Sequence, residues 1–172
     1  WWMEKKAVCG TQNIYAPTDF VARLTEKNYG LSGIRVIETP FYYEEPEDDE
    51  TVYQEHCDGL DYVLFFGRMT RMKGVHILAK SLSSLMNQHP DMHAVFIGNS
   101  GKAPGGGRME DYLRVELAAF ADRVVILESL RHDQLYPFVK HARIVAIPSL
   151  IDNLPNTCLE AMALKRTVVA TT

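Results

Sequence analysis

Two carboxylates, Asp152 and Glu160, stand eight positions apart in the run P-S-L-I-D-N-L-P-N-T-C-L-E-A-M near the end of the chain. The apolar run Ile144 to Ile147 before them reads as a buried strand ending at Pro148-Ser149. Ala161, Met162 and Leu164 then return at helical intervals, which predicts a helix from about Pro155 to Lys165, followed by an apolar strand over Thr167 to Thr172. Glu160 falls inside that helix and Asp152 in the loop before it. Both carboxylates are therefore expected to face one cleft, with the first free backbone N–H groups of the helix aimed between them. Carboxylates accept hydrogen bonds from hydroxyls, and a helix N-terminus favours phosphate, so the pattern suits a ligand rich in both.

A second candidate is F-G-R-M-T-R-M-K-G, Phe66 to Gly74. Gly67 permits a tight turn at a strand end. Arg68 offers a planar fork to a phosphate, and Lys73 adds a point charge where the next helix begins. Arg71 reads as an ordinary solvated charge. A third candidate, G-N-S-G-K-A-P-G-G-G-R, holds five glycines in eleven residues but matches neither the P-loop nor the dinucleotide fingerprint. Gly98, directly at a strand end, is its candidate site residue. Gly105 to Gly107 read as a flexible surface excursion.

The elements that must position these groups alternate from Tyr62 onward in the manner of β-α units and a parallel sheet. Strands are expected at Tyr62 to Phe66, Ala94 to Ile97, Val124 to Leu127, Ile144 to Ile147 and Val168 to Ala170. Helices are expected at Gly74 to His89, about Met109 to Phe120, Asp133 to His141, and around Glu160. Right-handed crossovers bring the strand C-terminal ends to one edge, where ligands of such sheets bind. The first sixty residues carry a short helix ending near Gly10, a strand at Asn13 to Ala16, a helix Asp19 to Tyr29 closed by Gly30, and a strand Ile34 to Ile37. These read as the last units of a preceding domain whose main body lies outside this chain. Glu44 to Glu50, six acids around Pro46, has the composition of a solvated linker and marks the boundary, with residues 1–50 as the tail and linker and 51–172 as the ligand-binding domain.

The formal charge is −4, but Glu44 to Asp61 alone holds nine acids and no Lys or Arg; the remainder carries eighteen basic and thirteen acidic residues. That modest positive excess suits an anionic small ligand and falls far short of a nucleic-acid binder's basic stripe. Cys9, Cys57 and Cys158 form no C-x-x-C pair, and His76, His89, His93, His132 and His141 show no ligand spacing, so neither a disulfide scaffold nor a metal site is indicated. Ser149 reads as a turn cap rather than a nucleophile. No apolar run approaches the roughly 20 residues that span a bilayer. A cytoplasmic placement is expected, with a peripheral visit to a membrane left open.

F-G-R at the first strand, K-G at the following helix, and P-S-x-x-D with L-E-A-M then V-V-A-T closely resemble the donor-binding half of GT-B glycosyltransferases, specifically the large retaining family 4. The resemblance covers about Tyr62 to Thr172, with a fainter echo in Ile14 to Glu44. It implies an α/β fold, a Rossmann-like parallel sheet with helices on both faces, forming the C-terminal half of a GT-B fold and cut short at its own C-terminus. It implies a nucleotide-sugar donor, UDP- or GDP-linked, from which a hexose-type sugar passes to a glycan, lipid or small-molecule acceptor held by the missing domain, with no metal cofactor. The fragment alone is then expected to bind donor without turnover. Residues 1–40, as the exposed edge of that missing domain, are expected to promote self-association.

The family's roles carry over by position. Arg68 and Lys73 would hold the donor diphosphate and support the leaving group. Glu160 would bind the ribose hydroxyls, and Asp152 the hydroxyls of the transferred sugar. Gly67 and Gly98 would let the donor approach, backbone N–H groups around Asn156 and Thr157 would face phosphate or sugar, and the base would lie near Leu130. Asp152 stands where the family most often has Glu, and Pro155 where Gly is common, which leaves the donor sugar open. Two alternatives stand beside this reading: a non-catalytic nucleotide-sugar binding or interaction module, which would keep the fold without the reaction, and a GT-B epimerase, which L-E-A-M disfavours.

Overall fold

The computed structural model describes residues 1–44 and 46–171. Glu45 in the acidic stretch and Thr172 at the end of the expected last strand lie outside the described residues. The chain divides into two compact units, Trp1–Tyr42 with Asn153–Pro155, and Tyr43–Asp152 with Asn156–Thr172.

The smaller unit contains α1 (Trp2–Cys9), β1 (Tyr15–Ala16), α2 (Asp19–Tyr29) and β2 (Arg35–Val36), with β1 and β2 paired in parallel. Local chemistry sets the ends of α2: the Thr18 hydroxyl accepts from the Val21 N–H at 3.2 Å, and Gly30 closes the helix in the left-handed region. Ala16 and Ala22 are its buried apolar residues among those described, which is little core for two helices. Trp1, Trp2 and Met3 are exposed.

The larger unit runs α3 (Thr51–Cys57), β3 (Asp61–Phe66), α4 (Val75–Gln88), β4 (Met92–Ile97), α5 (Met109–Glu116), a 3-10 turn (Ala118–Arg123), β5 (Val124–Leu127), α6 (His132–His141), β6 (Ile144–Ile147), α7 (Asn156–Ala163) and β7 (Val168–Ala170). Its five strands form one parallel sheet in the order β5-β4-β3-β6-β7. Helices cover both faces, so the strands read as nearly unbroken apolar runs rather than as alternating ones. Tyr62, Leu64 and Phe66 point to one face, where Tyr53 and Cys57 of α3, Phe138 and Val139 of α6, and Ala161 of α7 close over them. Val63 and Phe65 point to the other, against Val75, Ala79, Leu82 and Met86 of α4 and Met109 and Leu113 of α5. The Tyr62 hydroxyl, buried on the first face, donates to the Phe138 carbonyl at 2.6 Å, so its burial leaves no polar group unpaired.

Three expectations change. Helix α3 was not expected, because the acids around it hide its spacing; Tyr53 and Cys57, four apart, are its buried stripe. The acidic stretch is also less solvated than its composition suggests. Pro137 inside α6 has no N–H to bond the Asp133 carbonyl, and the Asp49 N–H donates to that carbonyl at 3.0 Å instead. Gln134 donates to Asp49 at 3.0 Å and Lys140 to Asp48 at 2.6 Å, which docks residues 48–49 on α6. The expected helix Met109 to Phe120 ends earlier, at Glu116, where the chain tightens into the 3-10 turn with a non-helical Phe120.

Candidate functional site

The winding of the sheet reverses at β3: β4 and β5 lie on one side of it and β6 and β7 on the other. The crevice beyond the carboxyl ends of β3 and β6 is where open parallel sheets take ligands. Here the chain leaves β3 through Gly67 and β4 through Gly98. Gly67 has φ +120° and Gly98 φ +144°, a region that disfavours L side chains. The Gly67 N–H bonds the Ile97 carbonyl at 2.9 Å and the Met69 N–H bonds the Asn99 carbonyl at 3.0 Å, so the β3 and β4 loops advance side by side. Across the switch, Gly74 lies so close to the β6 loop that a Cβ on it would stand 1.7 Å from the Pro148 carbonyl oxygen.

At this edge lies a cavity of about 270 Å³. Gly67, Gly98 and Thr157 form one wall, Leu130 and Leu135 an apolar one, and Arg68, His132 and Glu160 supply the charge. The absent side chains of Gly67 and Gly98 leave bare backbone facing the cavity, and Arg68 keeps its guanidinium exposed. Glu160, on α7, is held largely out of water, with only 16% of its side chain exposed. Burial pushes its carboxyl above the ordinary range, and His132 pulls it partway back. The His132 Nε2 stands 4.0 Å from Glu160 Oε1, and its ring stacks on Tyr136 at 5.2 Å. The cavity thus offers a cation, a desolvated acceptor and a flat apolar face, which are the groups needed to hold a phosphate, a polyol and a planar ring.

The structure gathers six of the expected site residues at this cavity: Gly67, Arg68, Gly98, Leu130, Thr157 and Glu160. It does not bring Asp152 to the same wall as Glu160. The Leu150 N–H donates to the Met72 carbonyl at 2.8 Å, which draws the β6 loop toward the β3 loop. Asp152 there forms an ion pair with Lys73 and accepts from the Ser149 hydroxyl at 3.2 Å. Lys73 and Asp152 therefore stand as a mutually neutralised pair beside the cavity, not in its lining. Asn156 opens α7 and is exposed, also outside the lining. Gly105 to Gly107 form a closed turn, with the Ala103 N–H bonding the Gly107 carbonyl at 3.1 Å. Sequence reasoning missed His132, because its partner lies on another helix and no local spacing reports the pair.

Among the described residues no helix is long and apolar enough to cross a membrane, and Cys9, Cys57 and Cys158 are free.

Residues 61–172 match the family described as glycosyl transferases group 1, and the chain belongs to that family. Of curated relatives, the D-inositol 3-phosphate glycosyltransferase of Corynebacterium jeikeium is 32% identical over 109 residues, covering 62% of this chain and 26% of its own length. Spore coat protein SA of Bacillus subtilis is 39% identical over 56 residues, 33% of this chain and 14% of its own. The chain spans at most about a quarter of the length of these relatives. Of solved structures, sucrose-phosphate synthase of Thermosynechococcus elongatus matches with a TM-score of 0.74 at 20% identity, covering 98% of this chain and 43% of its own. HepE of Anabaena, solved in complex with UDP and glucose, matches with a TM-score of 0.71 at 20% identity, covering 93% and 44%. The likeness is one of fold: the larger unit is the Rossmann-like, C-terminal half of a GT-B glycosyltransferase.

Proposed function

We propose that the cavity at the switch point is the donor site of a retaining, nucleotide-sugar-dependent glycosyltransferase, and that this chain contributes its donor-binding half. The observation that carries the reading is the convergence of Arg68, bare backbone at Gly67 and Gly98, and desolvated Glu160 on one cavity where the sheet reverses its winding. The nucleotide base lies against Leu130, the ribose hydroxyls donate to Glu160, and the diphosphate meets Arg68. Lys73 joins it from beside the cavity: an ammonium has three protons, so it can serve a phosphate oxygen while still bonded to Asp152. Cationic charge at the diphosphate supports the leaving group as the sugar departs. Asp152 then contacts hydroxyls of the transferred hexose.

With two cations serving the diphosphate, the donor needs no metal, and its affinity should be unchanged by EDTA. UDP is the favoured nucleotide, since a neighbour of the same fold is solved with UDP and glucose. The acceptor is a glycan, lipid or small molecule. Calorimetric titration with UDP, GDP and ADP, free and sugar-linked, tests the reading. Saturable binding of one nucleotide that collapses in Glu160→Ala supports it; no binding at millimolar ligand overturns it.

A further inference from the structure

Next to the donor cavity lies a larger one of about 750 Å³, bounded by the loops after β3 and β4 and by Leu150. Its ionisable lining is Arg68, Arg71 and Lys102, with no carboxylate among them. Among the described residues these three side chains make no ion pair and no hydrogen bond. Several other cations of this unit are ion-paired, among them Lys73 with Asp152, Arg114 with Glu110, Arg131 with Asp133, Lys140 with Asp48 and Arg143 with Asp61. Three uncompensated cations around one concavity repel one another, and an anion entering it relieves that repulsion.

The cationic wall is built rather than loose. The Gly101 N–H bonds the Met69 carbonyl and the Met109 N–H the Gly101 carbonyl, both at 2.8 Å, which pins the hairpin that carries Lys102. Part of the lining is apolar. Met72 and Leu150 are 50% and 54% exposed, and their backbones are bonded to each other, so they form one continuous ledge. A free inorganic ion would use the cations and leave the ledge idle.

We propose that this second cavity binds a phosphate ester carried on an apolar body, with the phosphate facing Arg71 and Lys102 and the apolar part lying along Met72 and Leu150. Arg68 lines both cavities. On the donor reading above, on which this assignment rests, the ester therefore belongs to the acceptor. The chemistry can be offered by a soluble sugar phosphate or by a phospholipid, and the ledge favours the phospholipid.

The test uses the whole chain saturated with UDP, so that the donor cavity is filled. Glucose 6-phosphate and glucose are titrated calorimetrically, and sedimentation is compared between phosphatidylglycerol-containing and pure phosphatidylcholine vesicles. Arg71 and Lys102 are exposed and bond nothing through their side chains, so Arg71→Ala/Lys102→Ala should fold as the parent does. Expected is vesicle binding that depends on the anionic lipid and falls about tenfold or more in the double variant, while UDP affinity stays within about twofold. Binding of glucose 6-phosphate but not of vesicles, lost in the same variant, would overturn the apolar body and keep the phosphate. UDP binding without discrimination between charged and uncharged probes would overturn the second cavity alone. Failure of the parent chain to bind UDP would overturn the donor reading, and with it the acceptor role.

Discussion

The backbone of Gly67 passes so close to Gly98 that a Cβ on the latter would stand 2.0 Å from the Gly67 carbonyl oxygen. The two strand ends that wall the switch-point cavity are thus in backbone contact, with no side chain between them. Gly98→Ala must both force an L residue to φ +144° and push the β3 loop aside. Strain of this kind costs about 1–3 kcal/mol before the collision is counted. We expect a loss of at least about 2 kcal/mol in urea unfolding, together with weaker nucleotide binding. A variant as stable as the parent would show that the loops part freely.

Arg68 lines the switch-point cavity with no partner of its own among the described residues. Its replacement therefore removes a ligand contact without orphaning a protein group. Arg68→Ala should weaken UDP by about 1.5–3 kcal/mol, the range for hydrogen bonds to charged groups, while leaving the melting temperature unchanged. Equal affinity in calorimetry would remove the guanidinium from the diphosphate.

Burial raises the Glu160 carboxyl above its ordinary range. The folded chain then holds that proton more tightly than the unfolded one. The corresponding stability is fully present below the unfolded pKa, about 4.3, and is lost as pH rises through the folded value. Glu160→Gln should match the parent in acid and gain on it across that window, as read by melting temperature against pH. Nucleotide affinity should run the opposite way in the parent, rising over the same window as the carboxylate forms, and should be flat in the variant.

Lys73 and Asp152 are partly exposed, at 34% and 19% of their side chains. Their pairing should therefore contribute modestly: a double-mutant cycle with Lys73→Met and Asp152→Asn is expected to give a coupling of about 0.5–1 kcal/mol in stability. The same cycle measured on UDP affinity should show Lys73→Met as the damaging change. Damage confined to Asp152→Asn would assign the nucleotide contact to the wrong partner.

Trp1, Trp2 and Met3 are exposed by 81%, 68% and 78%, and α1 buries none of its residues among those described. An apolar cluster of this kind drives association. The 172-residue chain should show a mass by light scattering that rises with concentration, and Trp1→Ser/Trp2→Ser should abolish the rise. A parent chain that stays monomeric at high concentration would refute the idea.

Strands β5, β6 and β7 and helix α2 fall on the residues the sequence predicts. Each is an apolar or amphipathic run bounded by a residue with firm local meaning, such as Gly30 at a left-handed cap or Pro148 at a strand end. The glycines and Arg68 were legible for the same reason, since a strand end fixes their place. Helix α3 was not legible because its buried residues, Tyr53 and Cys57, are too few to outweigh the acids around them. The Lys73–Asp152 and His132–Glu160 pairs are tertiary. Residues 79 positions apart meet in the first, and only the order of the strands brings them together.

The contact between Gly74 and the Pro148 carbonyl joins the β3 loop to the β6 loop, and it limits how this site can be re-engineered. A segment from Pro148 to Thr157 grafted from a relative to alter sugar choice must reproduce the backbone path at Pro148, or position 74 will reject it. The two loops form one exchangeable module, and donor preference should transfer only when both are moved together.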